Sequence, residues 1–152
     1  MPLRHRWTAG VLAALALTTL LQGCGSASED DKVRDVVTGF FADVANSKGE
    51  PACARLTQAA IQQLDAAAFL LQAPASCPEA IATFSRQLSG DDKKALKTAE
   101  VHRVTRTGDT ATVADADISL KISGQSSLFR NNDPAPITLR KVSGSWKIDS
   151  LG

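Results

Sequence analysis

The chain has 152 residues, and its 17 Lys and Arg nearly balance 16 Asp and Glu, which gives a formal net charge of +1. This balance excludes the clustered cationic charge on which nucleic-acid binding depends. With two histidines and no Cys-x-x-Cys spacing, the sequence does not assemble an ordinary structural zinc site, and we expect neither a metal nor another cofactor.

The first 24 residues have the layout of an export signal. Residues 4–6 are Arg-His-Arg, and residues 9–21 form a run without a charge. The stretch that follows, Leu21-Gln22-Gly23-Cys24, resembles the lipobox of bacterial lipoproteins, in which the cysteine sulfur receives a diacylglycerol. The resemblance implies that residues 1–23 are a cleaved signal peptide. It also implies that the lipid on Cys24 anchors the exported protein to the outer face of the cell membrane, in the cell envelope.

Two other interpretations of this segment exist. A transmembrane anchor is disfavoured because thirteen helical residues cover about 20 Å, whereas the core of a bilayer is about 30 Å thick. An ordinary signal peptide that is cut elsewhere, with Cys24 left unmodified, stays open. If the signal is removed at Cys24, the mature chain keeps 15 basic residues against 16 acidic ones, a formal charge of −1.

Small and acidic residues follow Cys24, and we expect residues 24–31 to form a lipidated tether. Ser28 is placed to cap the first helix, with Asp31 completing a weak capping box. The three-and-four spacing of the apolar residues indicates one buried helix face, made of Val33, Val36, Val37, Phe40, Phe41 and Val44. Two adjacent phenylalanines could line a ligand cavity, although core packing is their commoner use.

Further helical segments are predicted to start at Pro51, Thr57 and Ser76. Residues 91–97 are expected to form a charged connector, which could include one more helical turn that ends near Leu96. If Cys24 carries lipid, Cys53 and Cys77 remain as a pair, and the oxidising compartment favours a disulfide between them. Closing this loop would stabilise the fold by about 3.5 kcal/mol. The alternative, two buried free thiols, stays open.

From residue 98 onward the pattern changes to the period of two that is typical of strands. Residues 98–107 and 110–122 form a predicted hairpin whose Gly108-Asp109 turn suits type II′. A second hairpin is predicted from residues 136–142 and 145–150. Its register puts Ile137, Leu139, Trp146 and Ile148 on one face.

The first hairpin has an internal conflict. A strict two-residue loop places Val104 opposite Val113 and Val101 opposite Ala116, and these two apolar pairs lie on opposite faces of the ladder. Because a strand usually buries one face, either the sheet is covered on both sides or a bulge near residues 102–103 or 114–115 switches the alternation, and we expect the bulge.

Helices followed by an antiparallel meander predict an α+β fold in which helices cover one face of a curved sheet. Three stretches resemble a known group of domains: residues 36–45 with their paired phenylalanines, residues 107–113, and residues 139–149 with Ser-Trp-Lys-Ile-Asp. They look like the cone-shaped, cystatin-like domain of nuclear transport factor, ketosteroid isomerase and polyketide cyclase relatives, as found in small bacterial lipoproteins. The resemblance implies one α+β domain over residues 32–152. The candidate cavity residues are Val36, Phe40, Phe41, Val44, Leu139, Trp146 and Ile148.

His102 is the main candidate for acid-base chemistry. In a register without a bulge it faces Asp115, with Glu100 and Asp117 on the same side. The commoner alternative is a solvated strand face of mixed charge. The isomerase pattern needs a tyrosine, which this chain lacks, and no G-x-S-x-G elbow supports a serine hydrolase.

We therefore expect a membrane-anchored, non-catalytic module that holds a small apolar molecule or docks an envelope protein, and we assign no catalytic residue. The alternative is an enzyme of the isomerase or cyclase type that uses His102 and the nearby aspartates.

Overall fold

The computed structural model describes residues 27–70, 76–120 and 135–152, so the predicted signal peptide (1–23) and Cys24 lie outside the described residues. Helices occupy the first part of the chain and antiparallel strands the second, and the protein is α+β, as predicted. The helices are α1 (Glu29–Ala45), α2 (Gly49–Ala54), α3 (Gln58–Leu70), α4 (Cys77–Gln87) and α5 (Gly90–Lys97). No helix within the described residues is long and apolar enough to cross a membrane.

Helix α1 begins with the capping box that its sequence predicts. Ser28 Oγ accepts the Asp31 N–H at 3.1 Å, and the Asp31 carboxylate accepts the Ser28 N–H at 3.2 Å. Because this cap orders the first turn, residues 29–31, which the sequence assigned to the tether, belong to the helix. The apolar face is buried at Val33, Val37, Phe40, Phe41 and Val44, whereas Val36 is half-buried.

Helix α5 spans the whole segment that was predicted as a charged connector with room for one helical turn, so the connector prediction is wrong in the extent of the helix. Ser89 Oγ accepts the Asp92 N–H at 3.1 Å, which forms a second capping box. Leu96 is buried in the core, and the helix packs against α1. The many charged residues of this segment indicated a connector, but the Ser89 cap and one buried apolar residue, Leu96, are sufficient for a two-turn helix.

Six short strands follow the helices. Four of them form an antiparallel sheet in the order β2-β3-β5-β6, and the remaining two, β1 and β4, form a separate antiparallel ladder. The strands are β1 (Glu100–Val101), β2 (Thr105–Thr107), β3 (Thr110–Val113), β4 (Ile118–Ser119), β5 (Ile137–Val142) and β6 (Ser145–Ser150).

The turn of the first hairpin has the predicted register. Thr107 pairs with Thr110 across the turn, and the pairing continues to Thr105 opposite Thr112. Gly108 has φ +58° while Asp109 does not have a positive φ, as a type II′ turn requires.

Farther from the turn, the first hairpin is broken. A 3₁₀ turn at Asp115–Asp117 interrupts the second strand, and Val101 pairs with Ile118 instead of Ala116. The irregularity therefore lies in the region where a bulge was expected. The prediction of two continuous strands over residues 98–107 and 110–122 is wrong, because the inserted turn shifts the pairing before β1 and β4 meet.

The second hairpin follows its predicted register. Leu139 pairs with Ile148 and Lys141 with Trp146, and a bulge follows near Thr138. The predicted inner face, formed by Ile137, Leu139, Trp146 and Ile148, is buried.

The outer edge of β6 is covered by the connection between α2 and α3. The Thr57 N–H donates to the Ile148 carbonyl at 2.7 Å, and the Ile148 N–H donates to the Arg55 carbonyl at 2.8 Å. Thr57 Oγ1 also donates to the Asp149 carboxylate at 2.8 Å. This parallel pairing occupies backbone groups that an open edge would expose.

Helices α2 and α4 are joined by a disulfide between Cys53 and Cys77, whose Cα atoms are 6.2 Å apart. The two helices approach so closely that a Cβ atom added to Gly49 would lie 2.3 Å from the Pro78 carbonyl oxygen. The neighbouring atoms are backbone atoms and cannot rotate away, so glycine is required here for space.

We expect Gly49→Ala to lower the free energy of unfolding by about 1–3 kcal/mol, the usual cost of overpacking. Gly90→Ala is the matched control, because Gly90 also opens a helix but has no atom within 4 Å of its added Cβ. The control should leave stability unchanged or raise it by up to about 1 kcal/mol. Urea denaturation with the disulfide intact measures both, and equal effects would contradict the packing argument.

Candidate functional site

The predicted cavity residues meet in the protein core. Phe40, Phe41 and Val44 from α1 share one buried cluster with Leu139, Trp146 and Ile148 from the sheet, and Val36 packs at its border. Leu139 and Ile148 are both 0% exposed, and Trp146 is 5% exposed. The structure therefore brings the predicted set together, but as side chains packed on one another.

A small cavity lies beside this cluster. Its volume is about 20 Å³, and Phe41 is the member of the predicted set that lines it. The other lining residues are Asp115, Ile118, Leu120, Ala135, Ile137 and Leu151. A volume of this size holds about one water molecule, whereas pockets for small ligands measure about 300–1,000 Å³.

His102 lies on the exposed side of the β1–β4 ladder. Its Nε2 is hydrogen-bonded to Ser119 Oγ, and its backbone N–H donates to the Asp117 carbonyl at 2.8 Å. The expected opposition of His102 and Asp115 does not occur, because the 3₁₀ turn shifts the pairing. Asp115 instead lines the small cavity, and Asp117 lies 3.8 Å from Arg103.

Sequence reasoning missed Ser119 as the partner of His102. The signal that could have found it is the expected irregularity, since a two-residue shift in pairing puts Ser119 opposite Glu100 and makes it a diagonal neighbour of His102. A His-Ser contact can activate a hydroxyl when a third group orients the imidazole and donors surround the reacting oxygen. Both side chains are solvent-exposed, and no third group bonded to the His102 ring is seen in the described part of the chain. This arrangement fits a polar surface pair better than a nucleophile.

The strongest polar cluster of the described residues centres on Glu29, at the start of α1. Its Oε2 accepts the Lys141 ammonium at 2.7 Å and the Trp146 indole N–H at 2.8 Å, while Oε1 accepts Lys32 at 2.7 Å. Hydrogen bonds from Lys141, Lys32 and Trp146, in that order, lower the pKa of Glu29 from its ordinary 4.5 to about 2. Lys141 also lies 5.8 Å from the Trp146 ring centroid, within cation–π distance.

A second ion pair joins the same helix turn to the first hairpin. Asp30 Oδ1 accepts Arg106 Nε at 3.1 Å. Together, the Glu29 and Asp30 contacts attach the first turn of α1 to β2, β5 and β6, and we call them the α1 clamp. Residues 112 and 117 positions apart meet in it, so no local pattern of the sequence could have indicated it.

The α1 clamp predicts a specific acid sensitivity. The folded pKa of Glu29, about 2, lies below its ordinary 4.5, so its stabilising contribution is present above pH 4.5 and is lost as the pH falls toward 2. As the pH is lowered from 4.5 toward 2, the midpoint of denaturant-induced unfolding should fall more steeply for the wild type than for Glu29→Gln.

Asp35→Asn is the control, since Asp35 is an exposed acid of the same helix. Its profile should follow that of the wild type. Parallel profiles for the wild type and Glu29→Gln would show that the clamp does not contribute to folding.

The described residues contain no group of three His, Cys, Asp or Glu side chains that could hold a metal ion. No protein-family model, curated protein or solved structure matches this chain. Any assignment of function therefore rests on the residues and contacts described above.

Proposed function

We propose that the protein is a lipid-anchored component of the cell envelope, held at the membrane surface by Cys24, and that its domain is a non-catalytic docking module. The support for the anchor is the order of a basic region, an uncharged run and the lipobox-like Leu21-Gln22-Gly23-Cys24. The support for docking comes from the way the core is filled.

The observation that carries the docking proposal is the close packing of the predicted ligand site. Phe40, Leu139 and Ile148 are at most 1% exposed, and the neighbouring cavity of about 20 Å³ has room for one water. Ligand capture would require these side chains to separate. Docking of a protein on the surface needs no such change, so we favour an envelope-protein partner over a small apolar ligand.

We also propose that the domain is a variant of the cone-shaped, cystatin-like fold of nuclear transport factor and polyketide cyclase relatives. The support is a long first helix that packs against β6, together with a register shift that interrupts the first hairpin. The four-stranded sheet with a separate two-stranded ladder is the main departure from a single continuous curved sheet.

An isomerase or cyclase that uses His102 and the nearby aspartates is the alternative. One observation favours it: Asp115 lines the small cavity, where a carboxylate could act on a bound group. His102, however, is hydrogen-bonded to Ser119 on the exposed side, and the chain has no tyrosine to stabilise an oxyanion.

Cys24→Ser tests the anchor. The wild-type protein should fractionate with membranes and require detergent for extraction, because two or more acyl chains give stable attachment. The variant should appear in the soluble fraction, and the intact mass of the mature wild type should include the acyl groups. Unchanged partitioning of the variant would refute lipid anchoring through this residue.

His102→Ala tests the enzyme alternative, with Ser119→Ala as its matched partner on the same ladder. If the domain is non-catalytic, both variants should fold and should retain any molecule or protein that copurifies with the wild type, as seen by native mass spectrometry. Turnover of a steroid or polyketide-like substrate by the wild type, reduced about a hundredfold or more in His102→Ala, would favour the enzyme.

A further inference from the structure

We propose that the end of the domain that carries the α1 clamp faces the membrane and that the tip of the β5–β6 hairpin contacts the lipid surface. This inference rests on the proposed anchoring through Cys24. We call this surface the hairpin end: the first turn of α1, the Gly108-Asp109 turn and the tip at residues 142–144.

The contacts of the structure place these three parts together. The Lys141 N–H donates to the Asp109 carbonyl at 2.8 Å, so the two hairpin turns lie side by side. Glu29 binds Lys141, which directly precedes the tip, and Asp30 binds Arg106, which lies close to the first turn. The start of α1 therefore lies at the same edge of the sheet as both turns.

The length of chain between Cys24 and α1 limits how far this end can lie from the lipid. Five residue steps separate Cys24 from Glu29, and a fully extended chain covers at most about 18 Å over that length. A domain of this size is about 30–35 Å across. The tether is therefore too short to let the domain turn over and present its opposite end to the bilayer.

The α1 clamp keeps the tether short. Fraying of one helical turn would release several residues and add about 3.5 Å of reach for each of them. Glu29 and Asp30 resist fraying through contacts of 2.7–3.1 Å with residues of the sheet, and the Ser28 capping box holds the helix start. The same contacts fix the direction in which the tether leaves the domain.

The chemistry of the hairpin end suits contact with lipid headgroups. The three acids of the first turn are each paired with a base: Glu29 with Lys32 and Lys141, Asp30 with Arg106, and Asp31 with Arg34. Anionic headgroups therefore do not face uncompensated carboxylates there, although Asp109 is an exposed acid at the neighbouring turn.

At the tip, Val142 is 38% exposed, and it is the one exposed large apolar side chain found among the described residues outside positions 67–70. Small residues, Ser143 and Gly144, complete the turn. A tip of this composition can enter the interfacial region without placing a bulky charge there. Its contact depends on the lipid anchor, because a single valine gives little affinity of its own.

Fluorescent labelling of the lipidated protein tests this orientation. Cys24 is blocked by lipid and Cys53 and Cys77 are bridged, so one added cysteine is the single free thiol. Ser145→Cys places a label beside the tip with minimal change, and Lys48→Cys places it on an exposed site past the far end of α1, about 25 Å along the helix.

The labelled proteins are reconstituted into vesicles of phosphatidylcholine and phosphatidylglycerol that contain headgroup-nitroxide lipids. We expect the label at residue 145 to be quenched several-fold more strongly than the label at residue 48. Val142→Asp should reduce that difference while leaving thermal stability unchanged. Equal quenching at the two sites, or stronger quenching at residue 48, would overturn the inference while leaving the anchor intact.

A double variant tests whether the α1 clamp sets the orientation of the domain. Glu29→Gln with Asp30→Asn should bring the two quenching values closer together, whereas Asp35→Asn should preserve their difference. An unchanged difference in the double variant would refute the role of the clamp in orientation. Lack of acyl mass on the wild-type mature chain would refute the anchor and the orientation together, so the two failures are distinguishable.

Discussion

The structure depends on the burial of one face of α1. Val33, Val37, Phe40, Phe41 and Val44 all lie in the core that also contains Leu139 and Ile148 of the sheet. Removing so much apolar surface from water is the largest favourable contribution available to a domain of this size. The other helices then take positions that this helix leaves open, with α2 and α5 packed along it.

Polar contacts at the borders of this core join the helices to the sheet. Arg55 illustrates this, because its guanidinium lies over Gly39 and binds Asp43 at 2.9 Å while its carbonyl accepts the Ile148 N–H. One residue thus connects α1 to the edge of the sheet. Asp149 has a related role: its hydrogen bonds with Thr57 and then Arg140 lower the pKa of its carboxyl group and keep it charged.

The closed core has a consequence for function. The predicted cavity side chains fill the core, and this packing is the reason for proposing recognition at the surface instead of in a pocket. The acids at the start of α1 are paired with bases of the helix and the sheet, which attaches this helix end to the sheet and pairs each of its carboxylates with a cation. If the proposed lipid anchor is correct, a short tether attached at this end would leave the remaining surface accessible to the proposed envelope partner.

The sequence by itself determined the features that depend on near neighbours. The apolar face of α1, the Ser28–Asp31 cap, the Gly108 turn and the register of the second hairpin all follow from local spacing or turn chemistry. The bridge between Cys53 and Cys77 was expected only on the condition that Cys24 carries lipid. The cap at Ser89 was equally local, and only the surrounding charges obscured it.

The tertiary structure alone decided where distant residues meet. Glu29 binds Lys141 and Trp146, 112 and 117 positions away, and Ser119 approaches His102 because a 3₁₀ turn shifts the pairing by two residues. Such contacts depend on the exact placement of several elements at once. Periodicity reports which face of an element is buried, but it does not report which distant side chain that face meets, and that is why the fold class could be predicted while the α1 clamp could not.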